Sequence, residues 1–265
     1  MKRTTIKKIQ KLKKIKKITC LTAYTSSVSK IIDKYADIIL IGDSVGPAIY
    51  GMKNTQGVTL EMMRNHGRAV YESSKKAFTI IDMPYQSYKN KKEALKNARD
   101  LLKFTKCQSV KMETDENNID IVNYLNKNNI NVVSHIGINP QKYKNFTKIR
   151  SVGNTNDEKE KICKLALKLE KAGSSLIILE CMKESLAKKI TEILKIPTIG
   201  IGASINCDGQ VLVINDILNT DTSFKKPKFV KTYAKINKII ENAVKKYCLE
   251  VKMKKFPKKK NTYLI

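Results

Sequence analysis

Short apolar runs recur along the chain, and each closes on a polar or charged residue: Ile-Ile-Leu-Ile-Gly-Asp43-Ser44, Phe-Thr-Ile-Ile-Asp82, Ser-Val-Lys111-Met-Glu113, Val-Val-Ser-His135 and Leu-Ile-Ile-Leu-Glu180. Apolar residues at successive rather than alternate positions mark strands buried on both faces, the habit of parallel sheets. Eight strands are expected, near Ile18 to Thr22, Asp37 to Ile41, Phe78 to Ile81, Ser109 to Met112, Asn131 to Ser134, Ser175 to Leu179, Pro197 to Ile201 and Val211 to Ile214. Amphipathic stretches lie between them and open on helix-start signals: Thr59-Leu-Glu-Met, Asn90-Lys-Lys-Glu93, Asp115-Glu-Asn-Asn and Asn156-Asp-Glu-Lys. Strand then helix, repeated, predicts an α/β fold of the (β/α)8 TIM barrel type, with a doubly wound open sheet as the alternative. The first residues, Lys- and Ile-rich at helical spacing, predict a short amphipathic helix packed on the barrel. The segment from Pro227 to Lys254, with Phe229, Tyr233, Ile236, Ile240 and Tyr247 at helical spacing, predicts one or two C-terminal helices. A single domain over residues 1–265 is expected, with 255–265 too poor in apolar residues to pack and frayed as a tail.

In a parallel barrel the C-terminal strand ends form the catalytic face, so the charged run ends are expected on one rim. Asp43 and Asp82 close neighbouring strands 2 and 3. Two convergent carboxylates without a Cys or His motif suit a hard cation such as Mg²⁺, which fills its octahedron with water and substrate oxygens. Taken separately, Asp43 also reads as a turn residue and Asp82 as a loop residue ahead of Pro84. Glu113 shares a strand face with Lys111 and is a third candidate acid beside the ion. Lys111 sits late in a buried strand, where its ammonium needs an anion: a substrate carboxylate, an enolate oxygen, Glu113 or Asp82. Glu180, closing an apolar strand, suits a general base and alternatively a helix-capping acid. His135 reads as a hydrogen-bond donor to substrate or as a core histidine. The connections from Val45 to Val58 and from Ile136 to Asn156 are long and leave the same rim, as binding loops do. Gly200-Ile-Gly-Ala-Ser204 lacks dinucleotide or P-loop spacing and reads as a tight turn.

Composition changes this picture little. The formal charge of +28 invites nucleic-acid binding, but Lys is spread over every predicted helix, there are 11 Tyr and no Trp, and Arg occurs only at positions 3, 64, 68, 99 and 150. Polyanion readers favour clustered Arg and interleaved aromatics, so neither nucleic acid nor a membrane surface is expected as partner. The 6 cysteines form no C-x-x-C pair, which argues against zinc and disulfides and fits a reducing cytoplasm. No apolar stretch approaches the roughly 20 residues of a membrane span.

A series of motifs runs in order over nearly the whole chain: Thr22-Ala-Tyr24, Gly42-Asp-Ser-Val-Gly46, Gly51 with Thr55 and Val58-Thr-Leu60, His66 with Arg68-Ala-Val70, Asp82-Met-Pro84, Val110-Lys-Met-Glu113, His135-Ile-Gly137 with Pro140-Gln141, Leu179-Glu-Cys181, Ile199-Gly-Ile-Gly-Ala203, Asp208-Gly-Gln210 and Pro227-Lys-Phe229. In these the chain resembles the 3-methyl-2-oxobutanoate (ketopantoate) hydroxymethyltransferase family. The resemblance implies a Mg²⁺-dependent barrel enzyme of pantothenate synthesis, cytoplasmic and decameric. Its reaction moves a hydroxymethyl group from 5,10-methylenetetrahydrofolate to 3-methyl-2-oxobutanoate, giving 2-dehydropantoate through a metal-stabilised enolate. Carried over by position, Asp43, Asp82 and Glu113 would be metal-site residues, Asp43, Ser44, Asp82 and Lys111 would bind the oxo acid, and Glu180 would accept the proton. The chain departs from the family pattern at Met52, where a His is usual, at Thr114-Asp115, where Gly-Gly is usual, and over 142–151, where a Gly-rich stretch is usual. A lyase of the phosphoenolpyruvate mutase and isocitrate lyase type also grips 2-oxo acids through Mg²⁺, but its Lys-Lys-Cys-Gly-His loop string is absent from this sequence.

Overall fold

The computed structural model describes residues 3–144, 150–220 and 226–263. Its contacts divide the chain into two compact units, one up to Val213 and one from Ile214 onward. The first unit holds eight parallel strands, β1 Ile18–Thr22, β2 Ile38–Ile41, β3 Phe78–Asp82, β4 Ser109–Glu113, β5 Val132–Gly137, β6 Ser174–Glu180, β7 Thr198–Ile201 and β8 Gly209–Leu212. They pair in sequence order and close with β8 on β1, the (β/α)8 TIM barrel that the apolar runs predict. Between them lie α2 Ser26–Ile32, α3 Val45–Tyr50, α4 Leu60–Ser73, α5 Lys91–Thr105, α6 Ile119–Lys127, α7 Asn156–Lys171 and α8 Glu184–Ile193; α1 Ile6–Lys11 precedes β1.

The helix starts follow the capping chemistry. Thr59 accepts the Met62 N–H, Asn90 accepts the Glu93 N–H, and Asp115 forms a capping box on the short turn Glu116–Asn118 ahead of α6. Helix α7 is capped by Thr155, one residue before the expected Asn156, because the Thr155 hydroxyl accepts the Glu158 N–H.

Strand β8 lies two residues earlier than its apolar run suggests. Gly209 pairs with Ile18, and a Cβ at Gly209 would lie 2.3 Å from the Ile18 carbonyl oxygen. The absent side chain lets β1 close on β8 at this point, and by Ile214 the chain has turned into a helix.

Alternate strand residues fill the barrel. Ile18 and Cys20, Ile38 and Leu40, Phe78 and Ile80, Val133, Leu176 and Ile178, Ile199 and Val211 pack into one cluster with Ile9 of α1. Ile9 is fully buried, so the amphipathic N-terminal helix caps the floor of the barrel as expected, and a side chain of this size contributes about 2–3 kcal/mol by leaving water. Polar ties fix the same end. Gln10 donates to the Ser175 carbonyl, and Lys13 donates to the Thr191 carbonyl and, at 2.7 Å, to Asp208. Asp208 also accepts the Thr198 N–H and hydroxyl. Asp33 accepts the backbone N–H groups of Lys75, Lys76 and Ala77 just ahead of β3.

The second unit contains α9 Ile214–Leu218 and α10 Ile236–Lys252. Phe229 and Tyr233 precede α10 rather than belonging to it: Pro227 accepts the Val230 N–H in a turn, and the Ile217 carbonyl takes the N–H groups of Tyr233 and Ala234. Beyond α10, Phe256 meets the Tyr247 ring edge-on at 5.6 Å, and Lys259–Asn261 form a short 3-10 turn. No helix of the described residues is long and apolar enough to cross a membrane.

Candidate active site

The inward-facing rows explain the polar rim. On β3 the row Phe78, Ile80 continues to Asp82; on β5 Val133 continues to His135; on β6 Leu176, Ile178 continues to Glu180. Register carries the same face across β4, where Asp82 lies opposite Lys111 and Glu113 opposite His135. The period of two thus turns the apolar filling into a charged top layer at the strand C-termini.

Asp82 is 1% exposed, and its Oδ2 receives both the Asp43 N–H (2.9 Å) and the Lys111 ammonium (2.9 Å). Its Oδ1 is buried with no protein partner. Burial pushes the Asp82 carboxyl up to about 7, even though Lys111 pulls the other way. Burial likewise opposes the charge on Lys111, but Asp82, Asp43 and Glu113 outweigh it and raise its pKa, so Lys111 stays an ammonium. Of the anions open to Lys111 from sequence, the structure supplies Asp82.

Asp43 stands just past β2 and accepts the Gln141 side-chain amide at 2.7 Å. Glu113 takes the Gln141 backbone N–H on both oxygens, at 3.0 and 3.2 Å, and burial, then the nearby Asp43, hold it well above the usual carboxylate range. Ser44 opens α3 without a side-chain cap bond and instead meets the Tyr24 hydroxyl at 2.7 Å. His135 is buried, with Nε2 3.0 Å from Glu180 Oε2 but off the line of a hydrogen bond. Burial, then Lys111, lower its pKa, so the imidazole beside Glu180 is neutral near pH 7. Glycine at 137 permits this arrangement: φ is +103°, and a Cβ there would lie 2.2 Å from the Glu180 carbonyl oxygen.

The carboxylates fit a hard cation. Among the described residues no three His, Cys, Asp or Glu side chains gather tightly enough to hold an ion by themselves. An ion here would draw on Asp43 and on the unpartnered Asp82 oxygen and complete its shell with water and substrate oxygens, as Mg²⁺ does. Glu113, bonded to Gln141, stands beside that pair.

Sequence reasoning gave no role to Tyr24, Tyr88 or Gln141, yet all three are tied into the rim. The available signal for Gln141 was a polar residue after Pro140 on a long rim connection. A cavity of about 230 Å³ opens beside Glu113 and Gln141, walled by Tyr85, Tyr88 and Lys89. Two of the family departures answer each other: Asp115 pairs with Lys142 at 2.5 Å, while Thr114 donates its N–H and hydroxyl to the His135 carbonyl. Residues 145–149 of the third departure lie outside the described residues.

Known proteins resemble the chain in sequence and in fold. The sequence model of ketopantoate hydroxymethyltransferase matches residues 3–259. The chain is 42% identical over 237 residues to the 3-methyl-2-oxobutanoate hydroxymethyltransferase of Pelagibacter ubique, covering 89% of this chain and 90% of that one. It is 42% identical over 263 residues to that of Rhizobium etli, covering 99% and 96%. Among solved structures, a phosphonopyruvate hydrolase in complex with oxalate and Mg²⁺ shares the fold at TM-score 0.61 and 10% identity, covering 97% of this chain and 93% of that one. A 2,3-dimethylmalate lyase, a PEP mutase/isocitrate lyase superfamily member, shares it at TM-score 0.58 and 10% identity, covering 79% of this chain and 78% of that one. The chain belongs to the ketopantoate hydroxymethyltransferase family.

Proposed function

We propose that this member of the ketopantoate hydroxymethyltransferase family transfers a hydroxymethyl group from 5,10-methylenetetrahydrofolate to 3-methyl-2-oxobutanoate, giving 2-dehydropantoate for pantothenate synthesis, with Mg²⁺ at Asp43 and Asp82 and Glu180 as proton acceptor. The observation that carries the reading is the buried, unpartnered Asp82 oxygen on the rim that also holds Lys111 and Glu180. The oxalate and Mg²⁺ of the phosphonopyruvate hydrolase support it, because oxalate presents the paired oxygens that a 2-oxo acid presents.

Asp43 and Asp82 would hold the Mg²⁺, which when bound would supply the Lewis acidity that makes the C3 proton of a 2-oxo acid more acidic. The protein does the rest. Lys111, its charge held by Asp82, offers an ammonium to the acid's carboxylate, and Ser44 offers its hydroxyl. Glu180 removes the C3 proton, and the neutral His135 beside it receives no competing charge. Water opens the methylene bridge of the folate, breaking its two C–N bonds and releasing tetrahydrofolate and the carbon at the oxidation level of formaldehyde. The exposed C3 adds to that carbon, whose oxygen, which came from water, takes up the proton held by Glu180, so no electrons are exchanged. The apolar barrel filling below the rim keeps stray water from the reacting carbon.

The six free cysteines support a reducing cytoplasm, and a homo-oligomer, a decamer by resemblance, is part of the same proposal. The test is direct. With Mg²⁺, the protein should exchange the C3 proton of 3-methyl-2-oxobutanoate in D₂O and consume methylenetetrahydrofolate only when the oxo acid is present. Absence of exchange overturns the reading; light scattering reports the assembly.

A further inference from the structure

The geometry points to Gln141 as a positioning residue: its carboxamide and backbone N–H hold Asp43 and Glu113 in the arrangement that receives a divalent ion. This rests on the metal reading above.

Gln141 lies on the turn Pro140–Lys142 after β5 and is 2% exposed. Every polar atom it has is bonded. Its Nε2 donates to Asp43 Oδ2 at 2.7 Å and to the Met83 carbonyl at 3.1 Å, and its Oε1 accepts from the Tyr88 hydroxyl at 2.5 Å. Its backbone N–H spans both Glu113 oxygens, and its carbonyl accepts from Gln56 at 2.8 Å. Asp43 follows β2, Met83 follows β3 and Glu113 ends β4, so one residue from the β5 connection ties three neighbouring strand ends.

The side chain has to be an amide. A carboxylate and a backbone carbonyl only accept, so Asp43 and Met83 both demand the NH₂ face, which leaves the oxygen for Tyr88. A glutamate would set two carboxyl groups 2.7 Å apart. A methionine would fill the space but take the amide partner from the buried Asp43 Oδ2 and Met83 carbonyl and from the half-buried Tyr88 hydroxyl. A donor on one carboxylate oxygen decides which lone pairs remain for an ion, and loss of such partners costs metal sites about 10–100-fold in affinity. Gln141 thus acts through the acids and takes no part in the proton transfer.

The test uses the full chain and Mn²⁺ alone, free ion being read by its electron paramagnetic resonance signal, with no substrate present. Gln141→Met should weaken Mn²⁺ binding by about 10–100-fold and lower kcat for proton exchange more than it raises KM for the oxo acid. Tyr88→Phe, which removes only the hydroxyl on Oε1, should shift both in the same direction by less. A lower melting temperature with Mn²⁺ affinity within about twofold of the parent would show a purely structural role and overturn the assignment. If Gln141→Met does not fold, unchanged Mn²⁺ affinity in Tyr88→Phe overturns it equally. A parent protein that binds no Mn²⁺ overturns the metal reading itself, an outcome separate from the other two.

Discussion

Each end of the barrel buries one lysine against one aspartate, and the two pairs are built for different ends. At the floor, Lys13 and Asp208 meet at 2.7 Å with side chains 8% and 4% exposed; at the rim, Lys111 and Asp82 meet at 2.9 Å with side chains 7% and 2% exposed. Distance and burial hardly differ, but the surroundings do. Asp208 has hydrogen bonds to both oxygens, from Lys13, the Lys14 N–H and Thr198. Asp82 has one oxygen doubly bonded and the other bare, with Asp43 and Glu113 pressing further negative charge on the same ammonium. A buried ion pair is therefore no measure of a site; what marks one is polar capacity left unused.

Substitution can break this contrast, and the largest effect belongs to the rim. Glu180→Gln keeps shape but cannot take a proton, so exchange at C3 of the oxo acid should fall about 10²–10⁴-fold, followed by NMR in D₂O, with the unfolding midpoint unchanged. A fall under tenfold would move the base elsewhere.

Next comes the pair itself, cut at each end. Lys13→Met leaves the charge of Asp208 locked in the floor and should cost about 3–5 kcal/mol of stability with little loss of turnover in what remains folded. Lys111→Met should do the reverse, because Asp82, already at about 7, takes up a proton and becomes neutral once its ammonium is gone. Urea unfolding beside kcat/KM for both variants decides the matter, and the opposite ranking would dissolve the contrast.

Metal should stabilise through the rim alone. At a Mg²⁺ concentration about 100 times its dissociation constant, the gain is about 2.7 kcal/mol, lost on chelation and absent from an Asp43→Asn, Asp82→Asn double variant. The same gain in that variant would place the ion somewhere else.

The smallest effect lies at the floor, where Asp33 accepts three backbone N–H groups. Burial tends to raise its carboxyl, but those bonds win and lower it below the usual carboxylate range. A depressed folded pKa contributes stability that is full above the unfolded value, near 3.8, and is lost as pH falls through the folded value. Asp33→Asn should therefore cost about 1–2 kcal/mol at pH 7 by thermal unfolding, with the gap to the parent closing below pH 4. A gap independent of pH would mean that the charge contributes nothing.

The barrel was legible because strands buried on both faces leave continuous apolar runs, and the rim because each run ends on a charge. What escaped was the side-to-side wiring. The bonds among Gln141, Asp43 and Glu113 join residues up to 98 positions apart, and no local pattern records them. Strand β8 was misplaced because its decisive residue, Gly209, contributes by lacking a side chain that the neighbouring backbone would strike. Phe229 and Tyr233 fall outside α10 because apolar residues at helical spacing do not reveal that the Tyr233 and Ala234 N–H groups are spent on Ile217.

The helix α1 under the barrel also governs traffic. With Ile9 seated among the side chains that fill the interior, the floor of the barrel is closed among the described residues. On the proposed reaction, ion, organic acid and one-carbon donor would all come in over the rim, so whatever rests deepest would enter first and leave last. An acid bound at Lys111 would then precede the folate and its product would follow it out, an order set by the packing at the opposite end of the barrel from the chemistry.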